Sequence, residues 1–350
     1  MNSRTCARIF TFWFAGFVLN AQAALDSAAK VREKAASGTN SLGVAPGYAL
    51  TEIPYSGTPL VWVNDRTVLF VGAPISISKK PSPPGVTAEI LLYRWNTSTS
   101  EVVPITKAGA YPKLCYDRGF LHLSFSRGDN RVVREGPMGH ESESVLKHGT
   151  GSSPKDFFNP YNCRVSSVPD ATRVDHGVVE VLRDDHGFIE GERLAEPVPE
   201  RKYFLVRPSG ERIWLKGFHG GPGNPVFSQF RQAYVFQHGG SDLSGDAEKH
   251  VWEIGVDGSV TDNKLPKGPW LGGWVKAMPV RHALLLISPN TLGQAEGVYL
   301  IRGQQVQVLV RGYVNAFAVA PGGCKVAINV RRRDRSPSRH AILDICKGGD

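Results

Sequence analysis

The sequence predicts an all-β fold, a six-bladed β-propeller of four-stranded antiparallel blades. Short apolar strands recur along the chain, and the first strand of each group starts near residues 60, 111, 161, 225, 272 and 315. This spacing is typical of four-stranded blades, which need about 40 to 50 residues each. No segment places apolar residues at helical spacing over three turns. The alternative fold, a two-domain β-sandwich protein, does not explain this regular spacing of strand groups.

The N-terminus predicts export. Arg4 and Arg8 precede the apolar run Ile9–Leu19, which is 11 residues long, and an Ala-x-Ala motif ends at Ala23. A basic start, a short apolar run and small residues at a cleavage site are typical of a secretory signal peptide. The run is too short to cross a bilayer core of about 30 Å, although an N-terminal anchor is the alternative. We therefore predict a signal peptide at 1–23, a flexible leader at 24–45 and one propeller domain at 46–350.

The first two groups of strands are separated by turn-forming residues such as Asn64-Asp65 and Asn96-Thr97-Ser98. The predicted strands are Leu60–Val63, Thr67–Val71, Glu89–Trp95 and Glu101–Ile105 in the first blade, and Pro112–Tyr116, Phe120–Phe125, Arg131–Arg134 and Ser144–Lys147 in the second.

The third blade is interrupted by a long charged excursion, Arg183–Glu200, which explains the one long interval between groups. The remaining predicted strands are Tyr161–Val165, Val178–Leu182, Tyr203–Val206 and Arg212–Lys216 in the third blade; Val226–Phe230, Ala233–Gln237, His250–Val256 and a last strand after Ser259 in the fourth; Gly273–Ala277, Ala283–Ser288, Gly297–Ile301 and Gln305–Val310 in the fifth; and Ala316–Ala320, Lys325–Val330 and His340–Ile345 in the sixth.

The sixth blade has only three strands, and Ala49–Pro54 is an unassigned strand at the other end of the chain. A radial array of sheets must close on itself, because an open edge invites aggregation. We therefore expect Ala49–Pro54 to pair beside His340–Ile345 and close the ring.

Four cysteines follow the predicted cleavage site, and an even number in an exported chain favours disulfide bonds. Cys324 and Cys346 flank the loop Arg331–Arg339 symmetrically, so they should face each other across one hairpin and form a bridge. Cys115 and Cys163 are left as a second pair on the inner strands of neighbouring blades, with buried free thiols as the alternative.

The sixth repeat, AVAPGGCKVAINV followed by HAILDIC, resembles the repeat of TolB-like propellers. In that family a Ser-Pro-Asp-Gly turn precedes a Lys-containing strand, and a later strand ends in Asp. Here Ala320–Gly323 stands at the turn and Asp344 at the later position. The resemblance implies six blades and, for TolB itself, protein–protein contacts in the bacterial periplasm. Because the chain lacks the separate N-terminal α/β domain of TolB, no functional residue is transferred.

Propellers bind ligands where loops between blades converge around the axial channel. Aromatic and basic residues in those loops are the candidates for stacking a sugar ring or contacting a partner's side chains, with packing between blades as the alternative role of the aromatics. The predicted binding residues are Phe157, Tyr161, His219, His238, Trp270, Tyr313, Arg331, Arg332 and Arg333.

Signals for chemistry are weaker. Asp184-Asp185-His186 with Glu190 and Glu192 is the densest group of metal-ligating residue types, but its spacing matches no calcium loop, and a solvated hairpin tip is the preferred interpretation. The sequence contains no G-x-S-x-G nucleophile motif and no phosphate-binding loop. We expect no metal and no cofactor, and catalytic residues stay unassigned.

The charge balance limits the kinds of partner. The formal net charge is +9, and loss of Arg4 and Arg8 with the signal peptide leaves +7. The excess is scattered apart from the loop Arg331–Arg339, so nucleic acid is not expected, whereas an anionic partner remains open. The sequence predicts a periplasmic or secreted, non-catalytic module that binds an envelope protein or polymer. The alternative is a hydrolase or lyase acting on a glycan or peptide, which needs His186, His219 or His238 to meet a carboxylate.

Overall fold

A computed structural model describes residues 44–75, 89–147, 158–159, 162–166, 179–184, 187–193, 201–207, 209–218, 226–228, 230–238, 250–266, 276–288, 296–331 and 337–347. Throughout these residues the fold is all-β, built from antiparallel sheets with no helix. In the same residues, accordingly, no helix is long and apolar enough to cross a membrane.

The described strands form six sheets of four or five strands and one sheet of two. The first sheet contains β2 (Tyr55–Ser56), β3 (Leu60–Asn64), β4 (Thr67–Pro74), β5 (Leu91–Asn96) and β6 (Glu101–Lys107), and the second contains β7 (Ala110–Asp117), β8 (Phe120–Arg127), β9 (Asn130–Pro137) and β10 (Ser142–Lys147). The two-stranded sheet pairs β11 (Phe158–Asn159) with β12 (Asn162–Ser166).

The third sheet contains β13 (Val179–Asp184), β14 (Gly187–Arg193), β15 (Arg201–Val206) and β16 (Arg212–Trp214), and the fourth contains β17 (Val226–Ser228), β18 (Ala233–His238), β19 (His250–Gly255) and β20 (Val260–Lys264). The fifth sheet contains β21 (Lys276–Val280), β22 (Ala283–Ser288), β23 (Gly297–Arg302) and β24 (Gln305–Arg311), and the sixth contains β25 (Tyr313–Val319), β26 (Lys325–Arg331), β27 (Arg339–Asp344) and β1 (Ala49–Ile53).

The N-terminal strand β1 pairs with β27 at the outer edge of the sixth sheet, as the sequence predicts. Ala49 lies opposite Asp344, and Ile53 lies opposite His340. Residues from the two ends of the chain therefore complete one four-stranded sheet. Because β1 pairs with β27, the edge of β27 is covered.

In four sheets the second strand (β4, β8, β22 and β26) is buried on both faces, because it lies between two neighbouring sheets. Five residues of β4, from Val68 to Gly72, are buried in succession, and all six residues of β22 are buried. Runs of Val, Ile, Leu and Phe suit such doubly covered strands. Burying one side chain of this size contributes about 1.5 to 3 kcal/mol.

Each apolar core joins two sheets that follow one another along the chain or meet through its ends. Representative residue pairs in one core are Leu69 with Leu123 (first and second sheets), Ile189 with Tyr234 (third and fourth), Val235 with Leu286 (fourth and fifth), Leu285 with Ile328 (fifth and sixth) and Phe70 with Ile342 (first and sixth). The two-stranded sheet lies between the second and third, since β12 contacts β7, β8 and β13.

The third blade differs from the prediction. The strand at Asn162–Ser166 pairs with β11 instead of β13, and the third sheet begins at Val179. Its second strand is β14, which lies inside the stretch predicted to be a charged excursion. Ile189 is 1% exposed and anchors β14 to the core. Ile189 lies between Phe188 and Glu190, and a strand can form there because only one face of it needs to be apolar.

The chain is already packed before β1. Val44 and Ala45 are buried in the core shared by the fifth and sixth sheets, and the N–H of Ala45 donates to the carbonyl of Leu309 at 2.8 Å. Tyr48 donates its hydroxyl to Gln307 Oε1 at 2.8 Å. The predicted signal peptide and residues 24–43 of the leader lie outside the described residues.

Cys324 and Cys346 form a disulfide bond, as predicted, with their Cα atoms 5.2 Å apart. They lie just before β26 and just after β27, so the bridge ties the two ends of this hairpin together. Cys115 is also disulfide-bonded. Its strand β7 contacts β12, which carries Cys163, and the pairing of these two residues stays a prediction.

Candidate functional site

Strands β3, β7 and β25, which belong to three neighbouring sheets, begin at the same end of the molecule. We call them, and the first strands of the other larger sheets, inner strands. Each large sheet alternates strand direction, so β6 ends where β3 begins, and β7 starts there three residues after Lys107. By the same reasoning β24 ends at Arg311 where β25 begins at Tyr313. Because β3 contacts both β7 and β25, we call this end the start face; it is marked by Leu60, Ala110 and Tyr313.

Tyr313 and Arg331 meet on the start face. They are paired residues of β25 and β26, and the guanidinium carbon of Arg331 lies 5.0 Å from the centre of the Tyr313 ring. Arg331 is exposed, whereas Tyr313 is half-buried. A guanidinium over an aromatic face is held in place while its outer N–H groups stay open to solvent. These two predicted site residues therefore form a fixed cationic group.

A second arginine–tyrosine pair lies next to it on the fifth sheet. Arg311 Nη1 donates to the hydroxyl of Tyr299 at 2.9 Å, and its guanidinium carbon lies 5.6 Å from the ring centre. Gly312 separates Arg311 from Tyr313, and a side chain at this glycine would meet the carbonyl oxygen of Arg331 at 2.7 Å. The close approach keeps the two arginine-bearing sheets together at this face.

Arg339 adds a third cation at the same end of the sixth sheet. Its Nη1 lies 3.9 Å from Glu52 Oε2 on β1, so part of its charge is balanced. Arginines fixed in this way favour carboxylate, phosphate or sulfate groups of a partner. The chemistry this geometry offers is anion binding.

Most other predicted site residues lie outside the described part of the chain. These are Phe157, Tyr161, His219, Trp270, Arg332 and Arg333. The backbone of His238 is described at the end of β18, where it pairs with His250. Only Tyr313 and Arg331 of the predicted set are thus seen together.

The pair His250–Asp262 was missed by sequence reasoning. His250 Nδ1 lies 2.8 and 2.9 Å from the two carboxylate oxygens of Asp262, and the imidazole stacks on Trp252 with ring centres 6.0 Å apart. Because His250 pairs with His238, the predicted histidine lies beside a histidine–carboxylate pair. The two residues are 12 positions apart on adjacent strands, and alternation along a hairpin was the signal that could have found them.

A row of polar side chains crosses the sixth sheet on the side that faces the first sheet. Asn315, exposed on the inner strand, donates its Nδ2 to Asn329 Oδ1 at 3.0 Å, and Asn329 pairs with His340 on β27. Asn329 and His340 are each 1% exposed. Burial lowers the pKa of His340 to about 3, because a charged imidazole would be cut off from water there.

The neighbouring first sheet supplies aromatic rings to this buried region. The Phe70 ring centre lies 4.3 Å from that of His340, and Tyr93 stacks on Phe70. Burial, with the charges of Tyr55 and Glu89, raises the pKa of Tyr93 above its ordinary value. The row is therefore a neutral polar layer between two sheets.

A metal centre has no support within the strands and turns that the structure covers. No three His, Cys, Asp or Glu side chains there are grouped so as to hold an ion. Of the sequence group Asp184-Asp185-His186, Asp184 ends β13 opposite Gly187 of β14, and Asp185 and His186 lie outside the described residues.

Comparison with known proteins addresses the fold. No protein-family model and no curated protein matches the sequence. Similar solved structures include oligogalacturonate lyase from Vibrio parahaemolyticus (TM-score 0.43, 10% identity, 85% of this chain and 97% of that one) and TolB from Acinetobacter baumannii (0.35, 10%, 85% and 80%). Another is the β-propeller domain of the Trilobed protease from Pyrococcus furiosus (0.32, 10%, 81% and 79%).

The solved structures to which this chain is similar thus include β-propellers, TolB among them. In the described residues, the antiparallel four-stranded sheets define the class of the protein as all-β.

Proposed function

We propose that the protein is an exported, non-catalytic six-bladed β-propeller that binds an anionic group of an envelope protein or polymer at its start face. The observation that carries the proposal is Arg331, exposed and held 5.0 Å from the Tyr313 ring. A cation fixed in this way loses little freedom on binding, so more of each contact appears as affinity.

The closed ring is part of the proposal. The six larger sheets are its blades, β1 closes the sixth, and the two-stranded sheet fills the position between the second and third. This is supported by the apolar cores between sheets and by contacts between the first and sixth sheets, where the two ends of the chain meet. Trp62 of β3, for example, donates its Nε1–H to the carbonyl of Ala318 on β25 at 2.8 Å.

The proposed location is the periplasm or the exterior. The Cys324–Cys346 disulfide fits an oxidising compartment. The predicted signal peptide at 1–23 gives the route, and cleavage after Ala23 is the form we expect to find. N-terminal sequencing of protein taken from the periplasmic fraction tests this.

The test of binding compares two exposed arginines at opposite ends of the array. Arg331→Ala removes the start-face cation, and Arg66→Ala removes an arginine from the β3–β4 turn at the other end. We expect purified protein to co-sediment with washed envelope fragments, Arg331→Ala to weaken this several-fold, and Arg66→Ala to leave it unchanged. Salt should weaken wild-type binding, because exposed charges are screened. Equal losses in both variants would overturn the assignment of the site.

A second function class is kept because of one observation. His250 and Asp262 form a histidine–carboxylate pair beside His238, and such a pair can act as a general base. This favours a hydrolase or lyase acting on a glycan or peptide. Turnover in a screen of such substrates, abolished by His250→Ala and retained by Arg331→Ala, would establish catalysis in place of simple binding.

A further inference from the structure

The start of β7 contains a β-bulge at Tyr111. Ala110 pairs with Ser126 and Lys113 pairs with Ser124, so two residues of β7, Tyr111 and Pro112, lie opposite one residue of β8. Bulges bend a strand and redirect a side chain, and they are frequent beside functional sites. This one lies on the inner strand of the second sheet, at the start face.

Tyr111 has an unfavourable backbone conformation at this bulge. Its φ is +51°, in the left-handed region that glycine usually occupies. It also leaves 82% of its surface exposed, the most of any large apolar or aromatic side chain in the described chain. Because the side chain makes so little contact, its packing does not explain why a tyrosine occupies this strained backbone position. Strain of this kind is a reason to look for a function.

Hydrogen bonds from an arginine on β9 fix the backbone of this bulge. Arg131 of β9 donates its Nη1 to the carbonyl of Tyr111 at 3.1 Å and its Nη2 to Ser124 Oγ at 2.8 Å. Ser124 is fully buried. The chain is also tightly packed two residues earlier, since a side chain at Gly109 would meet the carbonyl oxygen of Ser126 at 2.3 Å. The Tyr111 backbone is thus fixed, and the ring is presented to solvent.

Positive charge accompanies the ring. The Arg131 guanidinium is bound at the Tyr111 carbonyl, and Lys113, exposed, follows two residues along β7. Tyr313 and Arg331 repeat this combination at the start of β25, and β3 lies between the two inner strands. At Tyr111 the cation lies at the backbone carbonyl, and at Tyr313 it lies over the ring. A tyrosine with a nearby cation, present twice along one rim, fits a chain whose repeating unit is a ring that carries a carboxylate.

We propose that Tyr111 is a binding platform for an acidic polysaccharide, on which one sugar ring stacks while the carboxylate of the chain is held by Lys113 and Arg131. The proposal rests on the proposed anion-binding function and names its ligand class. An acidic polypeptide would bind the same cations, but it carries no sugar ring that would stack on Tyr111.

The experiment measures affinity of the purified protein for three probes. Alginate carries one carboxylate on each sugar ring, poly-glutamate carries carboxylates without rings, and dextran carries rings without charge. The variants are Tyr111→Gly, Tyr111→Phe and Arg331→Ala. Glycine suits the positive φ, so Tyr111→Gly removes the ring while the melting temperature stays the same or rises by about 2 °C.

We expect wild-type protein to bind alginate well above dextran. Tyr111→Gly should weaken alginate binding about 10-fold, because stacking on one aromatic ring is lost, while Tyr111→Phe keeps it within about 2-fold. Poly-glutamate binding should not change in Tyr111→Gly.

Four results would overturn the inference. If Arg331→Ala weakens alginate binding and Tyr111→Gly does not, the Tyr111 platform is wrong and the proposed function stands. If poly-glutamate binds and alginate does not, the ligand class is wrong. Equal binding of dextran removes the role of charge. Binding of neither acidic probe overturns both the inference and anion binding at this face.

Discussion

Asp65 accepts a hydrogen bond through its Oδ1 from the backbone N–H of Gly322 at 2.7 Å, although the two residues are 257 positions apart. Asp65 lies in the turn after β3, and Gly322 lies in the turn after β25. The carbonyl of Asp65 also accepts a bond from Lys325 Nζ at 3.4 Å. These contacts join the inner turns of the first and sixth sheets, at the end opposite the start face.

Replacing Asp65 by alanine should therefore weaken the join between these sheets. Loss of a charged acceptor that binds a backbone N–H should lower the free energy of unfolding by about 1 to 2 kcal/mol. Urea denaturation measures this. Asp65→Asn keeps an acceptor oxygen and should lose less than half as much. An alanine variant as stable as the wild type would mean that the turns do not depend on each other.

Removing β1 should have a larger effect. A chain that starts at Ser56 lacks the strand beside β27 and the buried side chain of Ile53, which is 3% exposed. We expect a loss of more than about 3 kcal/mol and aggregation through the exposed edge of β27. Light scattering and denaturant unfolding report the two effects. A chain that starts at Val44 is the control and should behave like the wild type. A monomeric, fully stable Ser56 chain would contradict the stabilising role of β1 at the edge of β27.

The disulfide supports the same sheet. Cys324 and Cys346 are separated by 22 residues, and closing a loop of this length stabilises a fold by about 3 kcal/mol in the chain-entropy treatment. The double variant Cys324→Ser/Cys346→Ser should lose about that much in unfolding free energy. Adding a reductant to the wild type should lower its stability at least as far, since Cys115 is also bridged. An unchanged double variant would show that β26 and β27 hold the hairpin without the bond.

The stability of the protein should decrease as the pH falls, partly through His340. Burial lowers the pKa of its imidazole to about 3 in the folded chain, against an ordinary value of 6.5. The folded imidazole stays neutral while the unfolded one takes up a proton. Stability is therefore full above about pH 6.5 and is lost progressively as the pH falls toward 3. Between pH 7 and pH 5 we expect a loss of about 2 kcal/mol from this residue.

The control for this effect is His340→Gln, which does not titrate. Its unfolding free energy should change less between pH 7 and pH 5 than that of the wild type. The lowered pKa of His122, also caused mainly by burial, persists in both proteins and cancels in the comparison. Identical pH profiles would mean that His340 is accessible to water in the folded state.

The sequence was sufficient to predict most strands because apolar runs and turn residues alternate clearly. The inner strands at Leu60, Ala110, Val226 and Tyr313 begin within two or three residues of their predicted positions, and the pairing of β1 with β27 followed from counting strands. The third sheet was not predictable in this way. Ile189 is one of few apolar residues among the charges of β14, so hydrophobic pattern alone indicated a loop.

The candidate site was predictable only in part. Tyr313 and Arg331 could be placed together because they flank one hairpin, and residue type marked them as candidates. Tyr111 was noted only as the start of a strand, since neither its φ nor its exposure can be read from the residues around it. His250 and Asp262 meet because their strands are in one particular register, which sequence alone does not define.

The pairing of β1 with β27 has a consequence for how the protein is made. Strand β1 leaves the ribosome near the beginning of synthesis and cannot pair with β27 until that last strand has been synthesised. Bringing together ends separated by nearly the whole chain carries an entropic cost of about 5 kcal/mol. The sixth sheet should consequently be the last to assemble. A nascent chain whose synthesis is stopped before β27 should have folded middle sheets, while its incomplete sixth sheet stays sensitive to protease.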